Sequence, residues 1–200
     1  MRYVVVADVS DLPTHGFGPR TPTWWGTLAF IVIEGTGFAL ALATYLYLRV
    51  LAQEWPLEAP PPNHWPATLL TIVLVLSVVP NHFAAQWAKQ QDLRKVRISL
   101  IVMSVVGVLP LIIRIFEFPA LQVSWDSNAY GSIVWTLLGL HTVHLLTDVV
   151  DTLVLAVLMF TRHAKNPRRF GDVDDNAFYW NFVVASWLPI YFVVYWLPRL

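Results

Sequence analysis

The chain has 200 residues, of which 56% are hydrophobic and 13% charged, with a formal net charge of zero. A mean hydropathy of +0.56 is too apolar for a soluble domain of this size, and the balanced charge gives no electrostatic basis for a nucleic-acid partner. The absence of cysteine excludes disulfides, thiolate metal sites and a cysteine nucleophile.

Met1 to Thr23 is broken by Pro13, Gly16, Gly18, Pro19 and Pro22 and lacks a long apolar core, so it does not read as a secretory signal. Residues 1–23 are expected to be an N-terminal cytoplasmic segment and residues 24–200 a membrane domain. A spanning helix needs about 20 apolar residues to cross roughly 30 Å of hydrocarbon. Five stretches qualify: Trp24 to Leu48, Pro66 to Ala88, Ile98 to Phe118, Tyr130 to Phe160 and Ala177 to Leu197. The expected fold is an all-α integral membrane bundle of five transmembrane helices. The fourth stretch exceeds the bilayer requirement and is expected to tilt or project into water. Pro110 and Pro189 interrupt spans three and five, where each frees a carbonyl and favours a kink.

Lys89, Arg94, Lys95 and Arg97 fall between spans two and three, and Arg162, Lys165, Arg168 and Arg169 between four and five. These loops are expected inside, with the N-terminus in and the C-terminus out. The opposite loops carry Glu54, Glu58 and Asp126, and the proline-rich one offers Trp55 and Trp65 as interfacial anchors. Asp172, Asp174, Asp175 and Asn176 precede the fifth apolar run, where acceptors would cap its helix.

Ionisable residues inside spans carry an insertion cost of roughly 2.5 to 3.5 kcal/mol each and mark functional or packing sites. They are Glu34 in span one, His82 in span two, Arg114 and Glu117 in span three, and His141, His144, Asp148 and Asp151 in span four. At 100° per residue the last four lie within an arc of roughly 80°, a polar stripe along one face. Such a stripe is either a ligand set for a metal or haem, or an interhelical hydrogen-bond network. By rise alone His82 lies about 9 Å and His144 about 24 Å from the cytoplasmic side, too far apart to share one iron. The network is the expected reading, with no metal held by the stripe. Arg114 and Glu117 are helical neighbours and are expected to form a structural ion pair. Glu34, Asp148 and Asp151 lie about 15, 18 and 14 Å from the cytoplasmic ends of their spans, so the three carboxyl groups share one depth.

Several segments in order resemble subunit III of the haem-copper oxidases. Trp25-Gly26 followed by Glu34 and Tyr45 is similar to that family's tryptophan-glycine start and intramembrane glutamate. Arg114-Ile115-Phe116-Glu117-Phe118 resembles its glutamate-aromatic helix end. Tyr130-Gly131-Ser132 and Gly139-Leu140-His141 with His144 resemble its tyrosine-glycine-serine and glycine-aromatic-histidine-x-x-histidine pattern. Phe178-Tyr179-Trp180, Phe182 and Trp187 resemble its terminal helix. Thr142 and Asp148 stand where the family usually has glycine, Asn181 where it has histidine and Val184 where it has aspartate, which identifies a divergent, short bacterial form. The resemblance implies a non-catalytic accessory subunit of a respiratory terminal oxidase in the bacterial cytoplasmic membrane. It implies haem-copper subunits I and II as partners that carry the haem and copper, with bound phospholipid in this chain. Glu34, Asp148, Asp151, His141 and His144 are then the candidates for proton- or lipid-related roles. Two alternatives remain at this point: a subunit III-like component associated with nitric oxide reductases, and a free-standing metal-dependent membrane enzyme using the polar stripe.

Overall fold

The computed structural model describes residues 21–57 and 59–200. The expected cytoplasmic segment, apart from its last three residues, and Glu58 lie outside the described residues. Five long helices follow one another: α1 (Pro22–Leu51), α2 (His64–Lys89), α3 (Leu93–Ala120), α4 (Ala129–Phe160) and α5 (Arg168–Tyr191). Each belongs to a segment long and apolar enough to cross a membrane, so the described residues form a five-span helical membrane protein. At 32 residues α4 extends roughly 48 Å, well beyond the hydrocarbon thickness.

Local chemistry sets the helix ends. Thr21, Asn63, Asp92 and Asn128 each accept a hydrogen bond from a first-turn amide of α1 to α4. The fifth helix departs from expectation. It begins at Arg168 with Pro167 at its N-cap and no side-chain cap, so Asp172, Asp174, Asp175 and Asn176 lie inside the helix and do not cap it. Their polarity hides the helix from a hydropathy criterion, but partners stabilise it: Arg169 pairs with Asp172 at 2.8 Å and Lys89 with Asp174 at 3.3 Å. At the other end, three residues after Pro189, the backbone passes into a π-helical turn at Phe192–Trp196, an adjustment that helix prolines commonly provoke. Pro110 is accommodated within α3, and Pro80 within α2.

Helix α2 packs against α3 and α5, and α4 closes the ring between α3 and α5. Helix α1 leans on α4 and α5 from outside. Because lipid tails are as apolar as leucine, burial of apolar surface does little to drive this association, and polar contacts and close packing carry more of it. The α2–α5 seam is an antiparallel series of such contacts. Thr68 meets Tyr191, Thr71 accepts from the indole of Trp187, Ser77 accepts from that of Trp180, and Asn81 donates to the Ala177 carbonyl and Asn181. Gly107 lets α3 approach the same core: a Cβ there would sit 2.9 Å from Val149 Cγ2 and 3.6 Å from the Trp180 ring.

The two loop tryptophans differ in their surroundings. Trp65 is exposed, but Trp55 is drawn inward, edge-on to Tyr45 and Tyr130 at 5.1 and 5.0 Å, with its indole N–H donating to Tyr45 Oη. The loop folds back because that N–H finds a partner on α1 while the ring covers apolar surface. Arg199 ties the chain end to the same loop through the Pro62 carbonyl.

Candidate functional site

The polar stripe of α4 divides between two networks. The first is closed. Arg114 and Glu117, one helical turn apart on α3, are 2% and 0% exposed and pair at 2.6 Å. Glu117 Oε1 also accepts from the Tyr195 hydroxyl at 2.6 Å. Arg114 Nη2 lies 2.7 Å from His141 Nδ1, and its guanidinium stacks 4.5 Å over the Trp187 ring. A guanidinium only donates, so His141 Nδ1 accepts and its Nε2 carries the hydrogen donated to the Val183 carbonyl at 3.0 Å. Both ring nitrogens of His141 are thereby used inside the protein. This network joins α3, α4, α5 and the terminal π turn, and the indole stacking on the guanidinium reduces the cost of burying the charge.

The second network is open. It lines a cleft of about 850 Å³ between α1, α4 and α5 that contains Glu34, His144, Asp148, Asp151, Asn176 and Tyr179. His144 Nδ1 donates to the Leu140 carbonyl at 2.6 Å, which leaves Nε2 facing Glu34 Oε1 at 3.3 Å. Glu34 Oε2 accepts from the Tyr179 hydroxyl at 2.5 Å. His144 Nε2 is buried and makes no hydrogen bond, so the two groups meet only as a close contact. Deeper along α4, one amide nitrogen serves two carboxylates: Asn176 Nδ2 donates to Asp148 Oδ1 at 2.9 Å and Asp151 Oδ2 at 3.1 Å. Thr152 orients that amide by donating to its oxygen at 3.2 Å.

The three carboxyl groups of common depth therefore line one cleft, yet Glu34 is partnered separately from the aspartate pair. His82 stands apart on α2, exposed and within 2.9 Å of Gln86. Among the described residues no group of three or more His, Asp or Glu side chains converges as a metal-binding set. At the positions that depart from the family pattern, Thr142 donates to the Leu138 carbonyl, Asn181 accepts from Asn81, and Val184 is buried in the core. Sequence reasoning missed Asn176 and Tyr179, although Asp172, Asp175, Asn176 and Tyr179 repeat at i, i+3, i+4 and i+7, the signature of one helix face.

Residues 24–199 match the family model described as cytochrome c oxidase subunit III. The chain is 25% identical over 176 residues to cytochrome c oxidase subunit 3 of Thermostichus vulcanus, covering 87% of each chain. It is 25% identical over 178 residues to that of Synechocystis sp., covering 86% of this chain and 74% of the relative. A probable cytochrome c oxidase subunit 3 of Mycobacterium bovis is 26% identical over 184 residues, covering 86% of each. Apart from the first two residues of α1, the five helices and both polar networks fall within the matched residues, and the chain belongs to the cytochrome c oxidase subunit III family.

Proposed function

We propose that this chain is the accessory third subunit of a bacterial haem-copper terminal oxidase, inserted in the cytoplasmic membrane beside subunits I and II. Those partners hold the haem and copper and reduce oxygen. This chain supports assembly, binds phospholipid and helps deliver protons. The observation that carries the reading is the family match over residues 24–199, nearly the whole membrane domain. The geometry is consistent with a role that needs no metal in this chain, since His141 is consumed by Arg114 and Val183. The proton part is supported by the cleft itself, where Glu34 and His144 stand 3.3 Å apart inside the span.

We assign the basic loops to the cytoplasm, which puts residues 1–23 inside and Leu200 outside. The cleft, formed where α1 and α5 begin and α4 ends, then opens toward the side from which an oxidase draws protons. The test is purification of the full chain through an affinity tag from its native membrane in mild detergent. Haem-bearing larger chains should copurify in fixed proportion. One tightly bound metal per isolated chain, lost on replacing His144 by alanine, would overturn the reading in favour of a metal-dependent enzyme.

A further inference from the structure

At the end of the bundle opposite the basic loops, the terminal turn is strapped back onto the proline-rich loop. Arg199 donates to the carbonyls of Pro62 and Tyr195, so one guanidinium joins the loop before α2 to the turn that follows α5. The Tyr195 hydroxyl donates in turn to Glu117, which pins the start of this strap to α3 and leaves residues 196–200 beyond the pin. Arg199 and Leu200 are exposed, and a strap made of surface hydrogen bonds belongs to the low-stability end of a fold.

His64 sits under this strap. It is the first residue of α2, two positions after Pro62, and its ring lies 5.2 Å from that of Trp196 and 6.3 Å from that of Tyr195. Its Nδ1 is buried without a hydrogen-bond partner. A protonated imidazole donates from both nitrogens, so Nδ1–H would become a buried donor with no acceptor, the costlier side of hydrogen-bond accounting. The charged group that acts on the ring is the Arg199 guanidinium, which has the same sign as an imidazolium. The other elements around it offer no counter-charge. The Tyr195 hydroxyl is donated to Glu117, Glu117 is paired with Arg114, and one turn further along α2 the Thr68 and Tyr191 hydroxyls bond each other. Among the described residues no carboxylate forms an ion pair with His64. A positive charge on His64 is therefore uncompensated while the strap is closed and gains water when it opens.

We propose that His64 is a proton-operated latch for the terminal turn: neutral, it packs beneath Trp196 and Tyr195 and the strap stays closed, whereas protonated, it repels Arg199 and releases residues 196–200 from the loop. Because the open form takes up the extra proton in preference, acid favours opening. The latch lies outside both polar networks and needs no partner chain, so its failure leaves the accessory-subunit reading intact.

Hydrogen exchange of the full-length chain in lipid nanodiscs, resolved at the Leu197, Arg199 and Leu200 amides and corrected for the intrinsic pH dependence of exchange, reads the latch. Protection should hold above the ordinary imidazole value of about 6.5 and fall below it by up to about tenfold per pH unit, the slope that one proton sets. His64→Gln, whose side chain stays neutral, should keep protection constant over the same range. Arg199→Gln retains an N–H donor for the Pro62 carbonyl but removes the charge, so it should shrink the dependence, and it decides the matter if the first variant does not fold. Residues 180–187 of α5 should stay protected throughout. Protection at the terminal turn that is unchanged between about pH 7.5 and 5 overturns the proposal. So does an undiminished pH dependence in either variant, or a loss shared equally by residues 180–187.

Discussion

Removing the Glu117 carboxylate should be among the most damaging single changes in this protein. Glu117→Ala leaves the Arg114 guanidinium, itself 2% exposed, facing His141 and Trp187 with no anion. Breaking one side of a buried ion pair costs about 3 to 5 kcal/mol. The Tyr195 hydroxyl loses its acceptor as well, adding about 1 kcal/mol or more. The expected loss is therefore about 4 to 6 kcal/mol, comparable to the whole stability of a marginal domain. Equilibrium unfolding in mixed micelles, followed by tryptophan fluorescence, reads it directly. The decisive comparison is the double variant Arg114→Met with Glu117→Leu, which removes both charges and keeps apolar volume. It should be more stable than Glu117→Ala by at least about 2 kcal/mol, because the uncompensated charge is the larger part of the penalty. A loss below about 1 kcal/mol in the single variant, or a double variant no more stable than it, would refute this reasoning.

Gly131→Ala should destabilise by at least about 2 kcal/mol in the same unfolding measurement, since its Cβ would collide with the Ser124 carbonyl oxygen and force the loop off the start of α4. Gly26→Ala, where a Cβ meets nothing within 4 Å, is the neutral control. Asp92, at the N-cap of α3, has its carboxyl held below the usual carboxylate range by the Lys95 amide and then by the Lys95 ammonium. A depressed native value gives stabilisation that is fully present above the unfolded value of about 3.9 and is lost as pH falls through the native one. Hydrogen-exchange protection at the start of α3 should accordingly hold from neutral pH to about 4 and decline below it, and Asp92→Ala should abolish that dependence. A single cysteine at Asn63 or Ser127 should react with an impermeant outside reagent, whereas one at Gln91 or Asn166 should not; reversed labelling would reject the assigned orientation.

How much was legible in the sequence follows from the range of each interaction. The number of spans and their approximate limits rest on runs of apolar residues, because a bilayer core supplies no hydrogen bonds and admits only helices whose backbone is satisfied internally. The Arg114–Glu117 contact was readable as well, since residues three apart on one helix are neighbours in any tertiary context. So was the polar stripe of α4, though not its use. Its division depends on which helices stand opposite: Arg114 and the Val183 carbonyl close around His141, while Glu34 and Asn176 meet His144 and the aspartates across an open cleft. The start of α5 at Arg168 was hidden for the same reason. Its first turns are polar, and they are held as helix by the Arg169–Asp172 pair, by Lys89 of α2 on Asp174 and by Asp148 and Asp151 of α4 on Asn176. The partners of Trp55 were hidden too, since Tyr45 and Tyr130 supply its acceptor and two ring edges from helices distant in the chain. Sequence by itself determined what must leave water, which is a property of each segment. Tertiary structure decided which polar groups meet, because inside a membrane each must find its partner on a helix far away in the chain.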